Sequence, residues 1–183
     1  MLGFLIKDEN DDIPEIIKNI FIDEVNKNDY IKVNGNMDDY LNKIKEKGRI
    51  LALINFNNFS NISSTIEIIG ICIYYCNDFI NLKSYISQIF VVNKYQNMGY
   101  SKIIFNYVIN NIKSLNFKIL GLSVNNNNHK AINLYKKYKF KIINHNKESN
   151  SNSEMELNLN EFNDNKKYNI IEINYKNKSY ILI

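Results

Sequence analysis

A chain of 183 residues, 45% of them hydrophobic, is long enough to bury a real core and is expected to fold as one domain. Its net charge of +4 is mild and no dense Lys/Arg stripe appears, which argues against a nucleic-acid partner; Arg49 is the only arginine, so bidentate clamps on phosphate or carboxylate are disfavoured as well. Asn makes up roughly a fifth of the residues, a compositional bias that leaves a lone Asn with little meaning, whereas the 6 Gly and the single Pro mark positions the backbone requires.

The apolar run Leu2–Ile6 is too short for a secretory signal. Asp11-Asp12-Ile13-Pro14 reads as a helix start, with acids in the first turn and Pro early. Ile16, Ile17, Ile20, Phe21 and Val25 then recur at helical spacing. A second helix is expected over Met37–Lys47, stopped by Gly48. Three strands follow: Ile50–Phe56; Ile66–Tyr75, beyond the Asn/Ser-rich loop Asn57–Ser64; and Tyr85–Val92, beyond the turn Asn77–Lys83. Cys72 and Cys76 fall on one face of the middle strand, about 13 Å apart at the usual rise. That is too far for a disulfide, so both are expected as buried free thiols in a reducing compartment. With His129 and His145 the only histidines, no metal site is predicted.

A long amphipathic helix is predicted from Met98 to Leu115, with Ile103, Ile104, Tyr107, Val108, Ile112 and Leu115 as its apolar stripe. Lys118–Val124 has the nearly continuous apolar character of a central strand buried on both faces. After the loop Asn125–Asn128, a helix over Lys130–Tyr138 repeats Ala131, Leu134, Tyr135 and Tyr138 on one face. Lys141–Asn144 and Met155–Leu159 read as antiparallel strands around an exposed polar loop, Asn144–Ser153. Tyr168–Ile183 reads as a hairpin turning at Lys176-Asn177-Lys178. No run of about 18 apolar residues suggests a membrane span. The order of elements predicts an α/β domain with a mixed central sheet, in a soluble cytoplasmic protein that engages neither membrane nor nucleic acid.

The junction Tyr95-Gln96-Asn97-Met98-Gly99-Tyr100-Ser101 joins a strand to a helix. The first N–H groups of a helix have no intrahelical partner, and the helix dipole favours negative charge there. A turn with Gly99 and a small Ser101 at such a place is a phosphate cradle, and a phosphorylated cofactor is the expected ligand.

Two blocks carry a family resemblance. Ile89-Phe90-Val91-Val92-Asn93-Lys94-Tyr95-Gln96-Asn97-Met98-Gly99-Tyr100-Ser101 is similar to a strand followed by Gln/Arg-x-x-Gly-x-Gly/Ala. Asn128-His129-Lys130-Ala131-Ile132-Asn133-Leu134-Tyr135-Lys136-Lys137-Tyr138-Lys139-Phe140 is similar to Asn-x-x-Ala-x-x-Leu-Tyr-x-Lys-x-Gly-Phe. In this order, with one helix and one strand between them, residues from about 66 to 159 resemble the GNAT family of acetyl-CoA-dependent N-acetyltransferases. The resemblance implies one domain over residues 1–163, with a mostly antiparallel central sheet splayed at the cofactor site and helices on both faces. Residues 164–183 would be an extension, the hairpin, packed on the same domain or used in a homodimer contact.

Acetyl-CoA is the implied cosubstrate. Gln96, Asn97, Met98, Gly99, Tyr100, Ser101 and Lys102 would hold the coenzyme A pyrophosphate on backbone N–H groups, the Met98 and Tyr100 side chains pointing away; Ser101 stands where Gly or Ala is usual. Main-chain groups of Ile89 and Val91 would bond the pantetheine amides as an added strand does, and an N–H near Ile89 would stabilise the oxyanion. Asn128 would contact the cofactor, and Tyr135 would protonate the leaving thiolate.

The general base is where this chain departs from the family. Ser123 stands where many relatives carry Glu or His, and Tyr85, Ser87 and Gln88 fill the strand where others carry Glu. Tyr85 matches a Tyr that assists catalysis in one branch of N-terminal acetyltransferases, which makes it a catalytic candidate beside Tyr135 or else a wall of the acceptor pocket. The implied partner is an amine: first a protein N-terminus, whose α-amine of pKa about 8 is more readily neutral than Lys; alternatively a small amine such as glucosamine 6-phosphate. A further alternative is an acyl-CoA-binding module without turnover. A polyamine is disfavoured, since the acids gather in Asp8–Glu15 and not in a cleft.

Overall fold

Leu2–Lys7 forms the first strand, β1, which the sequence reading passed over. Phe4 is buried on one face of the sheet and Leu5 on the other, so the run shows no alternation to read. The computed structural model describes residues 2–31, 33, 35–57, 65–145, 151–162, 171–175 and 178–182. Two helices follow β1: α1, Glu15–Lys27, entered through Pro14, and α2, Met37–Lys47, capped by Asn36, whose side chain accepts the Asp38 N–H at 2.8 Å. At its other end α2 leans on β1. The Lys7 ammonium, only 1% exposed, donates to the carbonyls of Ile44, Lys45 and Gly48 at 2.7–2.8 Å and so satisfies the end of the helix with all three of its donors. Gly48 does end α2, but with an extended φ of −95° and as the first residue of the next strand, not in the left-handed conformation of a glycine cap.

That strand is β2, Gly48–Asn57, followed by β3, Thr65–Asp78, and β4, Lys83–Val91. Most of the loop expected over Asn57–Ser64 lies outside the described residues. A 3-10 turn, Asn93–Tyr95, leads into α3, Tyr100–Ser114, which starts two residues later than expected because Gly99 takes φ +85°. The chain continues through β5, Ile119–Asn125; α4, His129–Lys137; β6, Lys141–His145; and β7, Asn152–Asn158. The loop expected over Asn144–Ser153 is shorter, since β6 reaches His145 and β7 begins at Asn152. Ser153 is buried and donates to Asn126 Oδ1 at 2.6 Å, which holds the start of β7 against the β5–α4 loop. The tail forms a hairpin of β8, Ile171–Tyr175, and β9, Lys178–Leu182; its turn at Lys176-Asn177 lies outside the described residues.

The described strands make one nine-stranded sheet in the order β6-β7-β5-β4-β3-β2-β1-β9-β8, antiparallel at every rung except β4–β5. Helices cover both faces. On one, α3 buries Ile104, Phe105, Val108, Ile109 and Ile112 against Leu51, Leu53, Cys72, Tyr74, Leu120 and Leu122, with Tyr135 of α4 in the same core. Each such side chain contributes about 1.5–3 kcal/mol on burial. On the other, Ile17 and Phe21 of α1 and Leu41 and Ile44 of α2 pack on Ile50, Ala52, Ile71, Ile73 and Phe90. Both thiols face the α3 side, buried and free.

The strand β5 is central, as expected, yet only one of its faces is covered. Leu120, Leu122 and Val124 point to the α3 core, while Ser123 lies half-buried on the other side, and no residue of β5 belongs to the α1–α2 core. Among the described residues no helix is long and apolar enough to cross a membrane.

Candidate active site

The sheet opens between β4 and β5. Their parallel ladder runs from Lys83–Ile119 to Ile86–Leu122 and stops there. The cause is a bulge: on β3, Ile73 and Tyr74 are neighbours, but their partners on β4 are Gln88 and Ile86, so Ser87 is an extra residue. A bulge bends its strand and increases the local twist. It also switches the faces of β4, for Ile86 packs into the α3 core and so do Ile89 and Val91, at the opposite parity.

Beyond the bulge, Ile89 pairs with Cys72 and Val91 with Gly70, while the Val92 N–H donates to the Ile69 carbonyl at 2.9 Å. Ile89 and Val91 are therefore in non-hydrogen-bonded pairs, and their main-chain N–H and C=O groups point away from β3, into the gap. The Gln96 amide enters the same gap and donates to the Val91 carbonyl at 3.1 Å, tying the turn back to the strand.

At the end of β4 the turn presents the start of α3. Asn97 (φ +64°) and Gly99 (φ +85°) are left-handed, and nothing lies within 4 Å of where a Gly99 Cβ would be. The backbone there is open to an approaching ligand. The Lys102 N–H already donates to the Gly99 carbonyl at 3.0 Å, so the N–H groups of Gly99, Tyr100 and Ser101 are the ones without an intrahelical acceptor. Met98 is 63% exposed, and Tyr100 packs edge-on against Tyr95. A cation that sequence reasoning missed stands by: Lys130 of α4 donates to Asn97 Oδ1 at 2.8 Å.

Tyr135 approaches from below. Its ring stacks on Phe105 and tilts against Phe140, and it is 7% exposed. Burial pushes its phenol well above the ordinary value, with a smaller contribution from Cys72, the partner of Ile89. The phenol is thus a proton donor throughout the neutral range. The end of α4 fixes the ring. Phe140 N–H donates to the Tyr135 carbonyl at 3.1 Å and Lys139 N–H to Lys136 at 3.0 Å, the paired bonds of a Schellman motif, and the Tyr135–Phe140 contact is its hydrophobic clasp. Asn128 caps the other end, its Oδ1 accepting the Ala131 N–H at 3.1 Å.

The sequence profile of the acetyltransferase (GNAT) family matches residues 15–140. The chain belongs to the GNAT family. Solved structures of similar fold include a GNAT acetyltransferase from Staphylococcus aureus (21% identity, 85% of this chain and 99% of that one, TM-score 0.61). They also include the ribosomal-protein-alanine N-acetyltransferase of Escherichia coli (12%, 92% and 100%, TM-score 0.61) and the spermidine N-acetyltransferase of Vibrio cholerae in complex with CoA and spermine (16%, 86% and 96%, TM-score 0.62). No curated protein matches the sequence significantly.

In this GNAT chain the two sequence blocks meet at one place, the gap below the bulge. Tyr85 lies on the opposite face of the sheet from Tyr135. Its ring passes over Gly121, and its phenol hydrogen-bonds to Ser123 through the serine's side chain and main chain. Burial is the main cause that raises its pKa, and the charge of Glu154 on β7 adds to it.

Two further phenols, unmarked in the sequence, join it. Tyr40 of α2 reaches Ser87 in the bulge, hydroxyl to hydroxyl at 2.8 Å. Tyr75, the cross-strand partner of Tyr85, has a buried hydroxyl without a hydrogen-bond partner, a deficit that costs about 1–3 kcal/mol. No spacing rule brings a helix residue at 40 to a strand residue at 87. Glu154 carried a signal, however: it alternates with the buried Ser153, Met155 and Leu157 and so faces the site.

Proposed function

We propose that the protein transfers the acetyl group of acetyl-CoA to a primary amine by direct attack, with a protein N-terminus as acceptor. The observation that carries this reading is the gap between β4 and β5, where main-chain groups of Ile89 and Val91 face the start of α3. Pantetheine would lie there as a short added strand, its pyrophosphate on the N–H groups of Gly99, Tyr100 and Ser101, with Gln96, Asn97, Met98 and Lys102 completing the turn and Asn128 and Lys130 beside it. The Ile89 N–H would take the oxyanion of the tetrahedral intermediate, and Tyr135 would give its proton to the departing thiolate. Tyr85 would border the amine.

The fold likeness to the Escherichia coli ribosomal-protein-alanine N-acetyltransferase, which spans 92% of this chain, supports an N-terminal acceptor. The test is a transfer screen over N-terminal peptides, lysine peptides and amino sugars, with the wild type and Tyr135→Phe. N-terminal peptides should be acetylated, and Tyr135→Phe should lower kcat about 10²-fold with coenzyme A affinity unchanged. Binding of coenzyme A without transfer to any amine would overturn the reading.

A further inference from the structure

On the sheet face away from α3 and α4, the mouth of the gap carries two carboxylates of β7. Glu156, opposite Gly121, is paired with Lys83. Glu154, opposite Ser123, is half-buried, and none of the ion pairs among the described residues supplies it with a cation. Its charge reaches the Tyr85 phenol, which Ser123 hydrogen-bonds. Tyr40 acts both on Tyr85 and on Tyr75, whose buried hydroxyl is unpartnered. One carboxylate, phenol oxygens able to accept and a serine hydroxyl thus gather where the gap opens, just past the Ile86–Leu122 rung. A primary ammonium, a compact cation with three donors, complements that set.

We propose that Glu154, with Tyr85 and Ser123, forms the subsite for the acceptor's ammonium, and that the Glu154 carboxylate takes the proton the nitrogen must lose before attack. The inference rests on the acetyl-transfer reading. One N–H bond of R–NH3⁺ breaks and an O–H bond forms on Glu154, leaving the nitrogen its lone pair; Glu154 then releases the proton to water. Conversion of an ammonium and a thioester into an amide and a thiol releases one proton in all, and this route carries it. Removal of the pair from water favours the transfer, since both charges vanish together. The other titratable groups that strand register sets near Glu154 are Glu156 of β7, Lys83 and Tyr85 of β4 and Lys141 of β6, opposite Glu156, while Tyr40 of α2 acts on Tyr85. The carboxylate that the sequence lacks on β4 and β5 is thereby supplied from β7.

The test uses the full chain saturated with coenzyme A, and two probes of the same chemistry: a trialanine amide with a free N-terminus, and spermidine. Each is titrated beside its N-acetylated form. E154Q should weaken the wild-type ligand at least tenfold at pH 7 and leave its acetylated form and coenzyme A unchanged; the probe that responds identifies the source of the ammonium. In the transfer assay E154Q should lower kcat/KM about 10²-fold at pH 7, and the loss should shrink as the pH rises and the amine arrives neutral, with E154D between the two. Equal affinities and a superimposable pH profile for E154Q would overturn the proposal, and so would failure of both probes to bind the wild type. Binding that depends on Glu154 without any transfer would uphold the subsite and overturn the acetyl-transfer reading.

Discussion

Ile86 faces Leu122 across the last rung of the β4–β5 ladder, and one residue later Ser87 bulges and carries β4 away from its neighbour. The gap is therefore written into backbone register, and what holds it is the packing behind it. Gly70, opposite Val91, is the closest point. A Cβ there would fall 2.6 Å from the Phe90 carbonyl oxygen and 2.8 Å from Ile104 Cδ1. Gly70→Ala should displace both β4 and α3, cost about 1–3 kcal/mol and weaken coenzyme A binding in parallel. Denaturant melts and calorimetry read the two effects separately.

Lys7 joins β1 to the end of α2, and through α2 it positions Tyr40 against the bulge. Burial lowers its pKa, yet its ammonium meets three carbonyls. Lys7→Met fills the same space and leaves those carbonyls without their donor. It is expected to cost about 3 kcal/mol in chemical denaturation, as the loss of one partner from a buried polar set does.

Lys139 occupies the glycine place of the second sequence block, and it holds φ +67°. A left-handed residue with a Cβ carries a penalty of roughly 1–2 kcal/mol. Lys139→Gly should therefore stabilise the fold by about 1 kcal/mol, a rise in Tm of about 2–4 °C, with the Tyr135–Phe140 clasp intact and kcat unchanged. A drop in Tm would show that the Lys139 side chain contributes more than its backbone strain removes.

Alkaline pH should destabilise the protein in a particular window. Burial pushes the Cys76 thiol up to about 12 and raises the Cys72 thiol and the Tyr74, Tyr75 and Tyr135 phenols well above their ordinary values. These groups favour the native state fully below their unfolded values, about 8.5 for Cys and 10 for Tyr. Above those values the unfolded chain releases protons that the native chain keeps, so stability falls as pH rises toward the folded values. Urea melts from pH 7 to 11 should show the decline beginning near the thiol value, and Cys72→Ala with Cys76→Ala should delay it to the phenol range.

Much of the fold was legible because its elements bury one face. The α3 stripe Ile104, Val108 and Ile112 and the paired sequence blocks needed no tertiary information. β1 escaped because both of its faces are buried, and β5 was read as doubly covered because its apolar run conceals the open side at Ser123. The bulge left a trace in the odd spacing of Ile86 and Ile89, interrupted by Ser87 and Gln88. Tyr40, Tyr75 and Lys130 could not be found in the sequence, since each reaches the site from an element whose place is set by packing alone. Glu154 could have been found from the alternation of β7, but only once that strand was known to lie beside β5.

Amide hydrogen exchange with and without coenzyme A reports whether the open edge of β4 and the start of α3 together receive the acetyl donor. Binding should protect the N–H groups of Ile89, Val91, Gly99, Tyr100 and Ser101 and leave those of Phe90 and Val92, which bond β3, unchanged. Tight binding without protection at Ile89 and Val91 would contradict that placement of the donor.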